Sequence, residues 1–406
     1  MPCAPLILIK PPDLQSAWHN ELNPDKIRIF TEPKLMSTFL IYRNFYDPEQ
    51  QKIMLGGIES YLLNLARLLS ANGERCVVVQ IAKHDFTQRL ENFDIVGVNC
   101  KGYHGNRKKI ALFNKVKSLA DAATDTVIFG TDSYFVANDF KRSIAIQHGV
   151  SWDKPSKGHG FWHHLQRFIS HQKYLNYLKD CKNLVCVDHN FVNWYRTYQS
   201  FPAKMNVEVI LNFSNDIISK AQLEAKWQTP LVHPSLLIAR RFVDYRGIPL
   251  AIAVVQELLQ KYPTLKVSFA GEGPLETQIR DAFAAFPNVD VFSYSPDESI
   301  AIHQRYDLVL LPSVGSEGSS LSLAEALSAG CAVVTTNVGG LSNMVIDQST
   351  GLVAMPDKDA LVAKLMQYLA QPNFAKEMAC NGHALAEKVF SLQRWQQQWL
   401  AFIGRS

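Results

Sequence analysis

Apolar residues along this chain fall into short runs separated by polar, glycine- or proline-containing turns, with helical spacing between many of them. The run Thr38-Phe39-Leu40-Ile41-Tyr42 predicts a buried parallel strand, because an unbroken apolar stretch of this length suits a strand covered on both faces. After a polar loop and Gly56-Gly57, residues Ile58, Tyr61, Leu62, Leu65, Leu68 and Leu69 share one helical face. Asn72-Gly73 supplies a C-terminal cap, and residues 76–81 form the next strand. Strand, glycine loop, helix and strand in that order open a doubly wound α/β sheet. Further apolar runs at 126–129, 143–146, 184–187 and 207–211 read as later strands of that sheet.

Residues 216–233 carry polar and charged residues and one proline, and read as a linker. A second series then begins at Leu236-Leu237-Ile238-Ala239 and continues through strands at 265–270, 289–292, 308–311 and 332–335. Tyr262-Pro263 and Phe286-Pro287 mark the ends of two intervening helices. Trp395 and Trp399, four apart, define an amphipathic helix over 392–402. The resulting division is an N-terminal extension (1–37), a first domain (38–215), the linker (216–233), a second domain (234–386) and a C-terminal segment (387–406) packing back toward the first. Two such sheets would face one another across a cleft.

At 406 residues the chain is long enough for two ordinary domains, and 47% hydrophobic with 19% charged residues excludes a disordered polymer. A net charge of +4 gives no reason to expect nucleic acid as a partner. The seven cysteines show no CxxC pair, so they suggest neither a zinc site nor a disulfide framework. Cys76 and Cys331 read as buried thiols of a reduced, cytoplasmic protein. No apolar run spans a bilayer, and residues 1–10 lack the charged start of a secretory signal.

The chemistry-bearing positions fall at predicted strand ends. Glu317 and Glu325 lie eight positions apart: the first in a loop after the strand ending near Leu311-Pro312, the second about two turns into the following helix. In an open α/β sheet, ligands bind at that crevice, and a helix N-terminus there attracts anions. Two carboxylates beside an anion site make sense for a ligand that carries hydroxyls as well as phosphates, as a nucleotide sugar does. Arg241 and Arg246 follow the first strand of the second domain; they could clamp phosphate oxygens or simply form a solvated basic loop. Gly271-Glu272-Gly273 and Gly339-Gly340 could be ligand-approaching turns or plain chain reversals. His148 ends the 143–146 strand, either at a reaction centre or as a hydrogen-bonded structural histidine.

These pieces, in order, resemble the large retaining glycosyltransferase family 4, over nearly everything from Thr38 to Phe402. The resemblance rests on Glu317 and Glu325 after Leu311-Pro312-Ser313, on Arg241…Arg246-Gly247, on Gly56-Gly57, and on Val338-Gly339-Gly340-Leu341 and Thr350-Gly351-Leu352-Val353. It implies the GT-B fold: α/β, two facing Rossmann-like doubly wound domains with an interdomain cleft. It also implies transfer of a sugar, with retention, from a nucleotide-diphosphate sugar of UDP or GDP type to a hydroxyl acceptor. No cofactor or metal is implied.

On this resemblance Glu317 would bind donor-sugar hydroxyls, and Glu325 the ribose. The N–H groups around Gly318, Ser319, Ser320 and Leu321 would face the sugar and diphosphate, as would the backbone of Gly56, Gly57 and Gly271. Arg241 and Arg246 would neutralise the leaving diphosphate, and His148 would sit beside the reaction centre. Asp132, Trp152, Asp153 and Asp188 are acceptor-side candidates. The acceptor implied is a glycan or lipid-linked molecule of surface polysaccharide, lipopolysaccharide or glycolipid assembly. Glu317→Ala and Arg246→Ala would then abolish transfer and leave folding intact.

This chain departs from the family in having Arg240 for a glycine, Arg246 for a lysine, Ser319-Ser320 for Phe-Gly, and Asn343 for an acidic residue. Nucleotide-sugar 2-epimerases share the same fold, and a non-catalytic nucleotide-sugar-binding partner is a further alternative. His159 and His163 have the spacing of a metal pair but show no third ligand. The basic, aromatic stretch 154–182 would suit anionic headgroups on the cytoplasmic face of a membrane and, equally, a solvated helix face.

Overall fold

The computed structural model describes residues 36–54, 56–153, 160–229 and 231–405, apart from the side chain of His163. The expected extension up to residue 35, together with Lys157 and His159, lies outside the described residues.

The first sheet begins with β1 (Ser37–Tyr42), which passes through a short hairpin, β2 (Tyr46–Asp47) and β3 (Lys52–Ile53), into α1 (Gly57–Ala71). It continues with β4 (Arg75–Ala82), β5 (Phe86–Leu90), β6 (Phe93–Asn99), α2 (Asn106–Leu119), β7 (Thr126–Phe129) and β8 (Arg142–Gln147). Then come α3 (Phe161–Tyr177), β9 (Asn183–Cys186), α4 (His189–Tyr198) and β10 (Asn206–Val209). The strand order is β10-β9-β8-β7-β1-β4-β6-β5, parallel except for the antiparallel β5–β6 pair. The apolar runs are continuous because both faces are covered. Phe39, Ile41, Val77 and Val79 enter the core on one side of the sheet, while Leu40, Tyr42, Cys76 and Val78 enter the other. The β5–β6 hairpin has no counterpart in the predicted elements. β5 is an exposed edge strand whose polar middle, Thr87-Gln88-Arg89, carries little hydrophobic signal.

Within the predicted linker, α5 (Lys220–Lys226) forms. A reciprocal capping box starts it: Gln222 N–H donates to Ser219 Oγ at 3.3 Å, and Ser219 N–H donates to Gln222 Oε1 at 2.8 Å. Leu223 and Trp227 bury themselves in the second domain's core. The polar composition that suggested a linker belongs to the outward face of this helix.

The second sheet contains β11 (Ser235–Ala239), β12 (Lys266–Ala270), β13 (Val289–Phe292), β14 (Leu308–Leu311), β15 (Ala332–Thr336) and β16 (Leu352–Ala354). The order is β13-β12-β11-β14-β15-β16, all parallel. Between the strands run α6 (Ile248–Lys261), α7 (Glu276–Ala282), α8 (Ser299–Gln304) and α9 (Leu321–Ser328), and after them α10 (Lys358–Ala370), α11 (Pro372–Val389) and α12 (Leu392–Ile403). α7 ends ahead of Phe286-Pro287, so that dipeptide follows a turn instead of closing the helix. Both sheets reverse winding direction beside their first strand, between β1 and β7 and between β11 and β14. Crevices at such reversals hold ligands outside the strand carboxyl ends.

The chain crosses back to the first sheet at its end. Trp395 and Trp399 of α12 are fully buried against Tyr61 and Phe213, and Trp399 Nε1–H donates to Tyr61 Oη at 2.8 Å. Among the described residues, no helix is long and apolar enough to cross a membrane.

Candidate active site

β11 and β14 are neighbours, so the loops after them start side by side. The β11 loop carries Arg240, Arg241 and Arg246, and the β14 loop carries Ser313 to Ser320. Glu317 is buried where they meet. Its Oε1 pairs with Arg240 Nη2 and accepts from Ser313 Oγ, and its Oε2 pairs with Arg246 Nη1. Arg240 Nη2 also donates to Ser313 Oγ at 2.8 Å, and Nη1 to Ser320 Oγ at 3.0 Å. Burial and the Arg246 charge pull the Arg240 guanidinium well below its ordinary value. Burial likewise pushes Arg246 down to about 10, with Arg241 adding to the effect and Tyr245 opposing it. The sequence marked Arg240 only as a replaced glycine. Its pairing with a carboxylate 77 positions away could not be read locally.

Ser320 caps α9, its Oγ accepting from Leu323 N–H at 3.3 Å. The Ser320 N–H, expected to face a diphosphate, instead points at Met344 Sδ, 3.1 Å away. Glu325 stands one turn into α9, closer to its start than predicted, because the strand-to-helix loop extends to Ser320. Burial pushes the Glu325 carboxyl up to about 7, opposed by a Ser299 hydrogen bond and by Arg240. Beside it lies a cavity of about 220 Å³ whose polar lining includes Asn215, Asp216, Gln222, Ser299 and Gln304.

The first domain closes over this loop. Ser316 adopts the left-handed conformation (φ 58°), uncommon for a residue with a side chain, and its N–H reaches the Asp153 carbonyl. A β-carbon on Gly318 would lie 2.7 Å from the His148 carbonyl oxygen and 3.0 Å from Asp188 Oδ2, so only glycine lets the domains meet here. Asn212 N–H donates to Ser319 Oγ at 3.0 Å, and His189 N–H to Asn343 Oδ1 at 3.1 Å. Gly340 packs its backbone against Gly318 and Ser319, so the Gly339-Gly340 turn supports the loop. Gly271 likewise backs onto the Arg240 carbonyl.

Across the seam, Arg241 is exposed, with Nη2 2.8 Å from where a Gly56 side chain would begin, and Gly57 faces Leu321. His148 Nε2 lies 2.8 Å from the Gly130 carbonyl oxygen. A carbonyl can only accept, so Nε2 carries the proton and Nδ1 is left as an acceptor. Burial pushes His148 down to about 4, with the Gly130 contact opposing, and the ring meets Tyr61 edge-on.

Asp188 caps α4 through Oδ1, which accepts from Phe191 N–H at 3.0 Å, while its buried Oδ2 has no hydrogen-bond partner. Burial pushes both Asp188 and Asp132 up to about 6. Asp132 follows β7, and the Asp153 side chain is exposed. Trp152 stacks on Tyr174 at 4.0 Å and meets Trp194 edge-on, joining α3 to α4. Among the described residues, no three His, Cys, Asp or Glu side chains stand close enough to hold a metal ion, and the side chains of the His159–His163 pair lie outside them.

Two facing Rossmann-like sheets with a charged cleft define the GT-B class of fold, and solved structures of that class share it. Sucrose-phosphate synthase from Thermosynechococcus elongatus superposes with a TM-score of 0.71 at 15% identity, covering 91% of this chain and 98% of that one. HepE from Anabaena in complex with UDP-glucose gives 0.67 at 15% identity, covering 91% and 100%. At such identity the likeness concerns the fold. In sequence, residues 219–384, less than half of the chain, match the family Glycosyl transferases group 1. The glycogen synthase of Mycobacterium tuberculosis is 30% identical over 182 residues, 42% of this chain and 43% of that protein. The chain thus spans less than half the length of that relative.

Proposed function

We propose that the protein is a retaining glycosyltransferase that moves a sugar from a nucleotide-diphosphate sugar to a hydroxyl acceptor. One observation carries this reading: the buried Glu317 is gripped by Arg240 and Arg246, and the next residue, Gly318, packs against the His148 carbonyl across the interdomain seam. Arg246 and the exposed Arg241 supply cations for a leaving diphosphate, the main electrostatic task in the transition state. Glu325 and its neighbouring cavity take the ribose side of the nucleotide. The UDP-glucose complex of HepE and the name of the glycogen synthase relative support a donor of this type.

Glu317 acts as a positioning group. Two guanidinium partners and the Ser313 hydroxyl occupy its oxygens, which is unfavourable for a covalent nucleophile. The acceptor hydroxyl attacks from the face the diphosphate leaves, and the leaving phosphate takes its proton. Asp188 and Asp132 lie on the acceptor side. A lipid-linked acceptor of surface polysaccharide or glycolipid assembly is supported by α3, whose first half exposes Phe161, Trp162, Phe168 and Ile169 beside Arg167 and Lys173. That combination suits peripheral contact with anionic headgroups on the cytoplasmic face of a membrane.

The test is incubation of purified protein with a panel of UDP- and GDP-sugars, with and without acceptor extracts, followed by NMR. The expected result is acceptor-dependent consumption of one donor, with an α-linked donor yielding an α-linked product. Change of the donor's own sugar without an acceptor would establish an epimerase instead. Donor binding without turnover in any extract would leave a binding protein.

A further inference from the structure

Arg240 is the charged group of the cleft that the family resemblance does not supply, since that family places glycine at this point. Its side chain is 5% exposed. The two terminal nitrogens are committed to Glu317, Ser313 and Ser320, while Nε is buried without a hydrogen-bond partner. Arg246, in contrast, is 27% exposed and springs from a short turn at the cleft mouth, Asp244–Arg246. The two arginines also hold different oxygens of Glu317: Arg240 holds Oε1 and Arg246 holds Oε2.

These contacts are unequal in what they allow. An anion entering the cleft can draw on Arg246, whose side chain is 27% exposed at the solvent side of the pair, although the Nη1 that holds Glu317 is itself buried. Arg240, 5% exposed, is held inside. Loss of Arg246 alone would free Oε2 for a new donor while Oε1 stayed pinned by Arg240 and Ser313. Without Arg240, the departure of Arg246 would leave Glu317 buried with one hydroxyl as its partner, an unfavourable state for a carboxylate.

We propose that Arg240 is a positioning residue of the donor site: it fixes Glu317 while Arg246 exchanges that carboxylate for the donor diphosphate, so that Oε2 becomes the acceptor for a sugar hydroxyl. The proposal rests on reading the cleft as a nucleotide-sugar site. It gives the two arginines separate duties, Arg246 to the diphosphate and Arg240 to the geometry of the sugar.

The experiment compares R240M, R240K and R246M with the unaltered protein. Calorimetry measures binding of UDP, GDP and ADP, and steady-state kinetics measures turnover of the sugar donor. R240M should bind the preferred nucleoside diphosphate within about threefold of wild type and keep KM, while kcat falls roughly a hundredfold. R240K should regain roughly tenfold of that loss, because a shorter cation still reaches part of the position. R246M should lose nucleoside diphosphate affinity roughly tenfold or more.

An R240M variant that loses nucleoside diphosphate as severely as R246M would make Arg240 a phosphate ligand and overturn the proposal. Unchanged kcat in R240M would overturn it too. If R240M fails to fold, the same split is read from R240K, where a KM rise with unchanged kcat overturns the proposal. A wild-type protein that binds none of the nucleoside diphosphates would instead refute the reading of the cleft itself, and the proposal with it.

Discussion

Removing the Glu317 carboxylate should cost stability as well as activity. Glu317 is 3% exposed, and the side chains that grip it differ in access to water: Arg240 is 5% exposed and Arg246 27%. In Glu317→Ala, Arg246 can turn outward, but Arg240 stays buried with two serine hydroxyls as its bonded partners. Breaking a buried ion pair by deleting one partner costs about 3–5 kcal/mol, because the remaining charge is left uncompensated. One stranded guanidinium, not two, places this case toward the lower end of that range. For a domain of this size the loss lowers Tm by roughly 10 °C.

The expectation from sequence that Glu317→Ala leaves folding intact is therefore revised: the neighbouring charge that changes the outcome comes from another strand. Thermal unfolding followed by far-UV circular dichroism measures the effect, and donor turnover is measured on the same preparations. The double variant Glu317→Leu/Arg240→Met supplies the control, since replacing both charges by apolar groups of similar volume is often neutral or stabilising. It should recover most of the lost Tm and none of the transfer. A Glu317→Ala protein melting within about 2 °C of wild type, or a double variant no better than the single, would refute the reasoning.

Gly318→Ala places a β-carbon against the His148 carbonyl and Asp188 across the seam, so the domains cannot close fully. KM should rise and kcat fall together, and small-angle scattering should report a larger radius of gyration; an unchanged radius with normal turnover would count against the close approach. Glu325 has an ordinary value of 4.5 and is pushed up to about 7 in the folded protein. Between those values the folded state keeps a proton that the unfolded state has lost, so its contribution to stability declines as pH rises through this window. Glu325→Gln should thus gain Tm relative to wild type as pH increases from 4.5 to about 7, and a pH-independent difference would contradict the assignment. Trp399→Ala removes a fully buried side chain and its bond to Tyr61. A loss of about 3–5 kcal/mol in denaturant unfolding is expected. Reduced turnover should accompany it, because Tyr61 packs against His148; full activity in a folded variant would disconnect the C-terminal helix from the site.

The sequence by itself determined the elements whose signals are local. The continuous apolar runs of β1, β4, β11 and β14, the glycine loop before α1, and the spacing of Trp395 and Trp399 all follow from side-chain periodicity and caps within one element. Two doubly wound sheets were legible from those, and so were the loops where Glu317, Arg241, Arg246 and His148 would lie. The exposed, polar β5 and the α5 helix escaped because their patterning is weak until something packs against them.

What only the tertiary structure decided is who meets whom. Strand order brings β11 beside β14, and this turns Arg240 from a misplaced glycine into the inner counter-charge of Glu317. Closure of the two domains sets Gly318 against His148 and Asp188. Packing between α3 and α4 sets Trp152 against Tyr174 and Trp194, and the turn after β15 aims Met344 at the Ser320 N–H. The physical reason is range. Propensity, capping and hydrophobic periodicity act over one or two turns of chain, whereas a buried charge is governed by whichever group lies within a few ångströms in space, and that is fixed only when the sheets are complete.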